Sequence, residues 1–366
     1  MKVDEKMELN KLEKKILKTI KDNKLIQKDD KIVLAVSGGP DSICMLNVFN
    51  KMCQKNTSPM AQIVVAHLNH LIRKEAKEDE EYVQRFCKEK CIEFYSKSID
   101  VLNLANTSKI GVEEAGRIAR YEFLNEVLKK TGSDKIAIAH NQNDKAETII
   151  MNILRGSGLG GLKGIEAKRG KYIRPLIDCN REEIEEYCKE NELNPRIDKT
   201  NFDNTYTRNK IRNIVIPYIK KEFNPNFIET INRLSLLASE QGEYIDRIVN
   251  QTYKEMVIEE KYERNKLLVV HGKVNIEKVL CQKNTSPMAQ IVLDLRKFNK
   301  EEKVIKSGII LYTITKLFGA PKGIEKIHIE DLIRLCENNI GNKYLTPNKN
   351  LKVLVKNHKI YFIKQS

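Results

Sequence analysis

Short apolar runs alternate with longer segments of helical periodicity along the first half of the chain. KIVLAV (31–36), QIVVAHLNH (62–70), IEFYSKSI (92–99) and DKIAIAH (134–140) have strand length. The helical segments ICMLNVFNKMC (43–53), EDEEYVQRFCKEK (78–90), VEEAGRIARYEFLNEVLKK (112–130) and NDKAETIIMNILRG (143–156) separate or follow them. Apolar runs joined through helices predict parallel strands buried on both faces. The fold class is therefore α/β, an open mostly parallel sheet over 31–155 with helices on both faces, preceded by an amphipathic helix over 3–28. After KYIRPLID (171–178) the rhythm turns helical again in REEIEEYCKENEL (181–193). Asn224 and Pro225 suit a helix cap and first helical position, and Phe227, Ile228, Ile231, Leu234, Leu237, Ile245 and Ile248 draw an apolar stripe along the long helix that follows. The expected domains are 1–217, a bridging helical region at 218–261, and a smaller α+β domain at 262–366. The last of these closes on a β-hairpin in LKVLVKNHKIYFIKQ (351–365), its turn near Asn357 and His358.

Composition adds charge to this picture. Lys and Arg number 65 against 50 Asp and Glu, a formal net charge of +15 that favours a polyanionic partner. The apolar stretches, such as the one ending at Val36, fall short of the roughly 20 residues a membrane span needs. The opening MKVDEKMELNKLEKK lacks an apolar signal core, which points to the cytoplasm. Eight cysteines are scattered at 44, 53, 87, 91, 179, 188, 281 and 336 and read as free thiols; Cys87 and Cys91 are spaced CxxxC with no second pair nearby, and there is no CxxC. Residues 53–64 and 281–292 are the identical twelve-mer CQKNTSPMAQIV in unrelated surroundings, a local duplication rather than a structural repeat. In both copies the QIV end runs into a predicted strand.

The sharpest chemical signal is Ser37-Gly38-Gly39-Pro40-Asp41-Ser42 between a predicted strand and helix. The glycines let the backbone turn tightly beside a ligand, and the helix N-terminus offers N–H groups to phosphate oxygens. Hydroxyls of Ser37 and Ser42 can add donors, and Asp41 can reach a magnesium ion or position a pyrophosphate. A glycine turn with a capping serine explains the glycines alone but not the whole hexapeptide. A Walker A loop is excluded because no Gly-Lys-Ser/Thr follows. His67 and His70 flank the end of the second strand near Arg73 and, lacking a third ligand nearby, shape a nucleotide or base pocket better than they hold a metal. Glu114, Arg117, Arg120 and Tyr121 share one flank of a helix, as a surface salt bridge or as a substrate wall. His140, Asp144 and Glu147 open the helix after a strand. Asp144 and Glu147 can face the crevice at the strand ends, although acids at a helix N-terminus also suit its dipole. Arg155 to Gly161, RGSGLGG, is too glycine-rich for a helix interior and reads as a mobile loop able to close over a ligand. Arg208 and Arg212, four apart on a predicted helix, present two anion clamps or a basic solvated face.

The hexapeptide is followed in order by AHLNHLIR (66–73), EEAGRIARY (113–121), AHNQNDKAET (139–148), LRGSGLGGLKGI (154–165), RPLI (174–177), RIDKTN (196–201) and TRNKIRNIVIP (207–217). This series resembles the PP-loop (N-type) ATP pyrophosphatase family, and within it the lysidine-forming branch that acts on tRNA. HIEDLIRL (328–335) and the closing GNKYLTPNKNLKVLVKNHKIYFI (341–363) resemble the domain that follows in that branch. Many members carry a further C-terminal domain, so the chain reads as a short form or a truncation. Where related sequences often have a second aspartate, this chain has Asn143.

The resemblance implies a ligase that uses ATP and Mg2+, cleaves ATP between the α and β phosphates, and joins free lysine to C2 of the wobble cytidine 34 of a tRNA(Ile) with CAU anticodon. It implies ATP contacts from Ser37, Gly38, Gly39, Pro40, Asp41, Ser42, His67, Arg73 and His140, with magnesium at Asp41 and Asp144. It implies catalytic roles for Asp41, Glu114 and Asp144, and substrate contacts from Glu114, Arg117, Arg120, Tyr121, Glu147, Arg155, Arg174, Asp198, Arg208 and Arg212. Positive charge on 208–221 and in the second domain would hold the tRNA backbone. Short members of the branch carry the expectation of a homodimer. A PP-loop tRNA thiolase would need cysteines that the missing CxxC does not supply. A small-molecule amidotransferase-type synthetase would not need the basic second domain, and an RNA-binding protein with a relict loop would not be expected to keep Ser37, Gly38, Gly39, Asp41 and Ser42 intact.

Overall fold

A computed structural model of the chain describes residues 9–54, 62–71, 76–196, 203–261, 268–270, 273–275, 290–321, 323–338 and 343–365. It forms two compact units, Met1–Ser239 and Glu240–Ser366. In the first unit, α1 (Lys11–Asp22), β1 (Lys31–Ala35), α2 (Pro40–Gln54), β2 (Gln62–Asn69), α3 (Ala76–Glu89), β3 (Glu93–Ser98), α4 (Val101–Ser108), α5 (Val112–Thr131), β4 (Lys135–Ile138) and α6 (Gln142–Leu154) carry out the expected alternation. There follow α7 (Leu159–Leu162), β5 (Lys168–Arg169), β6 (Tyr172–Ile173), α8 (Arg181–Glu190), α9 (Thr207–Lys210), a π-helical turn (Ile211–Val215), α10 (Ile216–Glu222) and the long α11 (Phe227–Met256), which crosses the boundary between the units.

The six strands lie in the order β3-β2-β1-β4-β6-β5, and every pair is parallel except β5 with β6. Val33 sits opposite Val64 on one side and Ile136 on the other. Alternation along β1 separates two cores. Ile32 and Leu34 pack with Ile16 of α1, Phe49 of α2, Val83 of α3 and Ile184 of α8, whereas Val33, Val64 and Ile136 pack with Phe123, Leu124 and Val127 of α5. Burial on both faces explains why these strands read as unbroken apolar runs. The chain leaves β1 for β2 in one direction and reaches β4 on the other side, so the loops after β1 and β4 meet where the strand order reverses, the position at which open α/β sheets bind ligands.

In the second unit, β7 (Val257–Lys261), β10 (Gln290–Asp294), β11 (Lys343–Asn348), β12 (Leu351–Lys356) and β13 (Lys359–Lys364) form an antiparallel sheet ordered β11-β12-β13-β10-β7; β8 (Leu268–Val270) and β9 (Lys273–Asn275) make a separate ribbon. Helices α12 (Leu295–Asn299), α13 (Lys303–Phe318) and α14 (Lys326–Glu337) complete it, with Ile291, Phe298, Ile309, Ile333, Val353 and Phe362 in one core. The expected terminal hairpin is β12–β13. Asn357 and His358 both take positive φ, 51° and 57°, as a two-residue hairpin turn of the I′ kind requires.

Several details differ from expectation. The first helix spans Lys11–Asp22, fixed by a reciprocal Asn10–Glu13 capping box, and residues 3–8 lie outside the described residues. Within RGSGLGG the chain forms one helical turn from Leu159, with Ser157 N–H bonded to Asn152 O. The stripe on α11 also shifts: Ile228 and Ile231 are buried as expected, but burial continues through Ser235 and Ala238, leaving Leu234 and Leu237 exposed. The small pair lies on the i+3/i+4 track from Ile228, and Ser235 Oγ donates to Lys163 O at 2.7 Å. The twelve-mer copies end, as expected, in strands: Gln62-Ile63-Val64 in parallel β2 and Gln290-Ile291-Val292 in antiparallel β10. Residues 55–61 and 281–289 of the copies lie outside the described residues.

Close packing of α13 against α11 supplies a test of the second unit. A Cβ on Gly308 would overlap Val249 Cγ2. Gly308→Ala is expected to destabilise the second unit by about 1–2 kcal/mol despite the better helix propensity of alanine. Urea unfolding followed by circular dichroism measures it, and an unchanged midpoint would contradict this packing.

Candidate active site

The loop after β1 is held in shape by its own residues. Gly38 takes φ +94°, open to glycine at little cost, and Pro40 begins α2. Ser42 Oγ accepts from the N–H groups of Ser37 and Gly38, each at 3.2 Å, and donates to Gly39 O at 2.9 Å. Its proton therefore serves the turn, while Ser37 stays exposed. From outside the loop, Arg196 N–H donates to Gly38 O at 3.0 Å.

Beside this loop lies a cavity of about 1080 Å³ whose wall includes Ser37, Gly39, Pro40, Asp41, Ser42, His67, His70, Arg120, His140, Asp144 and Arg212. The β1 and β4 loops thus bring together residues far apart in sequence. Asp41 accepts from Asn141 Nδ2 at 3.0 Å. Burial, and then the charge of Asp144, raise the Asp41 carboxyl to about 6, against the lowering effect of Asn141, Arg181 and Arg212. Asp144 accepts at Oδ2 from Asn141 N–H (3.1 Å) in the capping box of α6, and at Oδ1 from Arg212 Nη2 (3.1 Å) and Arg208 Nη2 (3.4 Å).

Behind Asp144 stands Glu147, 1% exposed. Arg212 grips it in a fork, Nε to Oε1 at 2.5 Å and Nη2 to Oε2 at 2.9 Å, and Arg208 Nε donates to Oε2 at 2.8 Å. Arg212 lies in the π-helical turn, a local widening that recurs at functional sites. The two arginines that the sequence offers as anion clamps are thus already clamped on protein carboxylates, and of the two only Arg212 reaches the cavity wall.

The buried His67 and the half-buried His140 each have Nδ1 committed to a fixed partner. His67 Nδ1 donates to Val36 O at 2.9 Å, and burial lowers its pKa. Arg174 Nε donates to His140 Nδ1 at 3.0 Å, which requires an unprotonated Nδ1; burial and the Arg174 charge push His140 down to about 3. Arg174 stands behind His140, its Nη1 donating to Glu166 O at 2.7 Å.

Other expected site residues lie apart from this cavity wall. Glu114 pairs with Arg117 at 3.5 Å, both side chains more than half exposed, while Arg117 stacks over Tyr121 at 5.6 Å. Arg155 is an exposed cap of α6. Arg73 and Asp198 lie outside the described residues. Conversely, Asn141, Arg181, Lys189 and Arg196 act at the loop or wall without having been singled out in the sequence. The spacing Asn141-x-x-Asp144 before an apolar run is a capping signature that could have found the first of these. Among the described residues, no group of three or more His, Cys, Asp or Glu could enclose a metal ion.

Removing the negative charge at position 147 leaves two guanidinium groups facing each other with only Asp144 between them. Glu147→Gln is expected to destabilise the first unit by about 3 kcal/mol. Thermal unfolding compared with the unsubstituted chain measures this, and a shift near zero would show that the network contributes little.

The PP-loop domain family matches residues 8–219, the span that contains this cavity. The chain is 40% identical to the tRNA(Ile)-lysidine synthase of Clostridium tetani over 341 residues, covering 93% of this chain and 66% of that protein. It is 40% identical to the tRNA(Ile)-lysidine synthase of Clostridioides difficile over 349 residues, covering 94% and 69%. The chain thus spans about two thirds of the length of these relatives. Among solved structures, a U34-tRNA thiolase from Methanococcus maripaludis superposes with a TM-score of 0.52 at 21% identity, covering 62% of this chain and 78% of that one, a likeness of fold. No helix among the described residues is long and apolar enough to cross a membrane. With the loop, the strand order and the sequence match all converging on residues 8–219, the chain belongs to the PP-loop family, on its tRNA(Ile)-lysidine synthase branch.

Proposed function

We propose that this chain joins lysine to C2 of cytidine 34 in a tRNA(Ile) with CAU anticodon, consuming ATP and releasing AMP and pyrophosphate. The observation that carries this reading is the cavity at the sheet reversal, where the Ser37–Ser42 loop and the Asp41–Asp144 pair come together. In the first step the C2 carbonyl oxygen of cytosine attacks the α-phosphate and pyrophosphate leaves. The loop backbone and the N-terminus of α2 bear the phosphate charge, with Arg212 and Arg181 on the cavity wall. In the second step the ε-amine of lysine attacks C2 and AMP leaves.

A divalent cation fits the acidic pair. Burial and the neighbouring Asp144 charge together raise Asp41 to about 6, a condition that a hard cation relieves, and magnesium commonly takes a pair of carboxylates together with phosphate oxygens and water. Bound there by Asp41 and Asp144, magnesium would supply charge stabilisation to the phosphate oxygens.

Neutral His67 and His140 suit contacts to a nucleotide without adding charge. The lysine amine must lose a proton before attack, and carboxylates able to receive it include Glu114 on α5 and, on the cavity wall, Asp79 and Glu185. The wobble base would be splayed from the anticodon loop into the cavity, as single-stranded RNA bases commonly are when read. Dimerisation, expected of short members of the branch, is measured by sedimentation velocity.

The decisive assay uses radiolabelled lysine, ATP, magnesium and a tRNA(Ile) transcript with CAU anticodon, beside a transcript in which uridine replaces cytidine 34. Incorporation only into the CAU transcript is the expected result; ATP cleavage without incorporation would overturn the lysidine reading. Asp41→Asn is expected to lower pyrophosphate release by at least about 100-fold. Because the folded-state pKa of Asp41 is raised, its favourable contribution is present at low pH and disappears as pH rises through about 6. The ligand-free Asp41→Asn protein should therefore gain thermal stability relative to the unsubstituted chain between about pH 4 and pH 7. Parallel pH profiles for the two proteins would contradict the raised pKa of this carboxylate.

A further inference from the structure

The turn that bonds to the ATP loop from outside is itself held by a third element. After α8 the backbone takes left-handed φ at Glu192, 53°, and again at Asn194, 41°, conformations uncommon for residues that carry a Cβ. Asn194 also precedes Pro195, a position that favours extended backbone. A turn bent twice in this way persists only where its surroundings fix it. Leu193, between the two bends, is buried in the core, and its N–H donates to Cys188 O at 2.9 Å. Its carbonyl oxygen accepts from the phenol of Tyr82 on α3. Three residues on, Arg196 N–H donates to Gly38 O at 3.0 Å.

The same face of α3 lies against the loop. A Cβ on Gly38 would stand 3.6 Å from Asp79 Cβ and 3.8 Å from Val83 Cγ2, and positions 79, 82 and 83 share one side of the helix. α3 therefore supports both the loop and the turn that bonds to it. Glu78 also meets Arg196 at 3.5 Å, but both of those side chains are well exposed and such a pair holds little. The ring of Tyr82 packs against the core, where phenylalanine would serve as well, so its hydroxyl is the group that serves the turn.

We propose that Tyr82 is a positioning residue for the ATP loop, acting through Leu193 and Arg196 on the Gly38 carbonyl. That carbonyl belongs to the peptide whose N–H is Gly39's. Because the peptide is planar and trans, fixing the direction of the Gly38 C=O fixes the opposite direction of the Gly39 N–H. Gly39 lies on the cavity wall, and its N–H is one of the donors that a loop leading into a helix offers to phosphate oxygens. The chain of contacts thus runs from the phenol to the turn, from the turn to the Gly38 carbonyl, and from there to a phosphate donor. Its effect on ATP rests on the ATP-binding reading above, whereas the hold on the turn does not.

The experiment compares the full chain with Tyr82→Phe, which keeps the ring in the core, and with Tyr187→Phe, which removes a buried hydroxyl whose hydrogen bonds go to Glu13 and Asn47 instead of the turn. Amide hydrogen exchange at Arg196 is followed by mass spectrometry without ATP, and KM and kcat are measured in the lysine-incorporation assay. In Tyr82→Phe, exchange at Arg196 is expected to quicken at least about tenfold and KM for ATP to rise about fivefold, with KM for lysine and kcat within about twofold. Tyr187→Phe is expected to lower the unfolding midpoint while leaving Arg196 exchange and KM for ATP as in the unsubstituted chain. Unchanged exchange at Arg196 in Tyr82→Phe would overturn the proposal. So would faster exchange with an unchanged KM for ATP, or equal changes in the two variants, which would mark a general loss of stability. If the unsubstituted chain consumes no ATP, the ATP reading fails and the KM arm fails with it, while exchange at Arg196 still decides whether Tyr82 holds the turn.

Discussion

Two acidic side chains at the heads of two helices set the terms for the first unit. Asp41 opens α2 and Asp144 opens α6, and the reversal of strand order between β1 and β4 brings those helix starts to one cavity. Burial, with their mutual repulsion added to it, raises Asp41 to about 6. Neighbouring groups answer that repulsion: Asn141 bonds both carboxylates, one through its side chain and one through its backbone, and Arg208 and Arg212 reach Asp144. Glu147 then holds the arginines in place. These bonds anchor both acids while leaving each of them on the cavity wall, which suits the magnesium-bound polyphosphate proposed above.

The same reasoning applies to the histidines. A protonated imidazole near Arg174 and Arg208 would add another cation to a crowded region, and the donor–acceptor pattern forbids it: Arg174 occupies the Nδ1 lone pair of His140. His67 is fixed the opposite way, with Nδ1 donating to the backbone at Val36. Each ring thus has one nitrogen held by a fixed partner, a backbone carbonyl for His67 and the Arg174 guanidinium for His140, so the wall presents stable hydrogen-bonding groups across the neutral pH range.

The central strands and the loop motif were legible in the sequence because burial on both sheet faces leaves unbroken apolar runs and because a glycine turn between strand and helix has few substitutes. The terminal hairpin was legible for the same kind of reason, since Asn357–His358 is a local turn. Long-range pairing left weaker traces. Arg208 and Arg212 have a helical spacing that equally suits a solvated face, and nothing local shows that Glu147, 65 residues before Arg212, holds both. On α11 the pattern misled for a physical reason: leucines draw attention to positions 234 and 237, while close packing needed the small Ser235 and Ala238. Glu114 illustrates the converse, a suggestive acid on the expected helix that the fold leaves exposed and paired with its neighbour Arg117.

A loop motif is often treated as if it carried its own conformation, yet here much of the conformation comes from elsewhere in the chain. Ser42 staples the turn from within, but Arg196 anchors the Gly38 carbonyl and Cys188 the Pro40 carbonyl from segments about 150 residues later. α8 and the segment after it therefore help set the shape of a loop to which they contribute no motif residue. The hexapeptide can be preserved letter for letter while its geometry shifts, if the residues behind it change. Matching the motif identifies the family, but the geometry of the loop is a property of β1, α2, α8 and the 194–196 segment together, and substitutions in the latter two should be read as substitutions in the site.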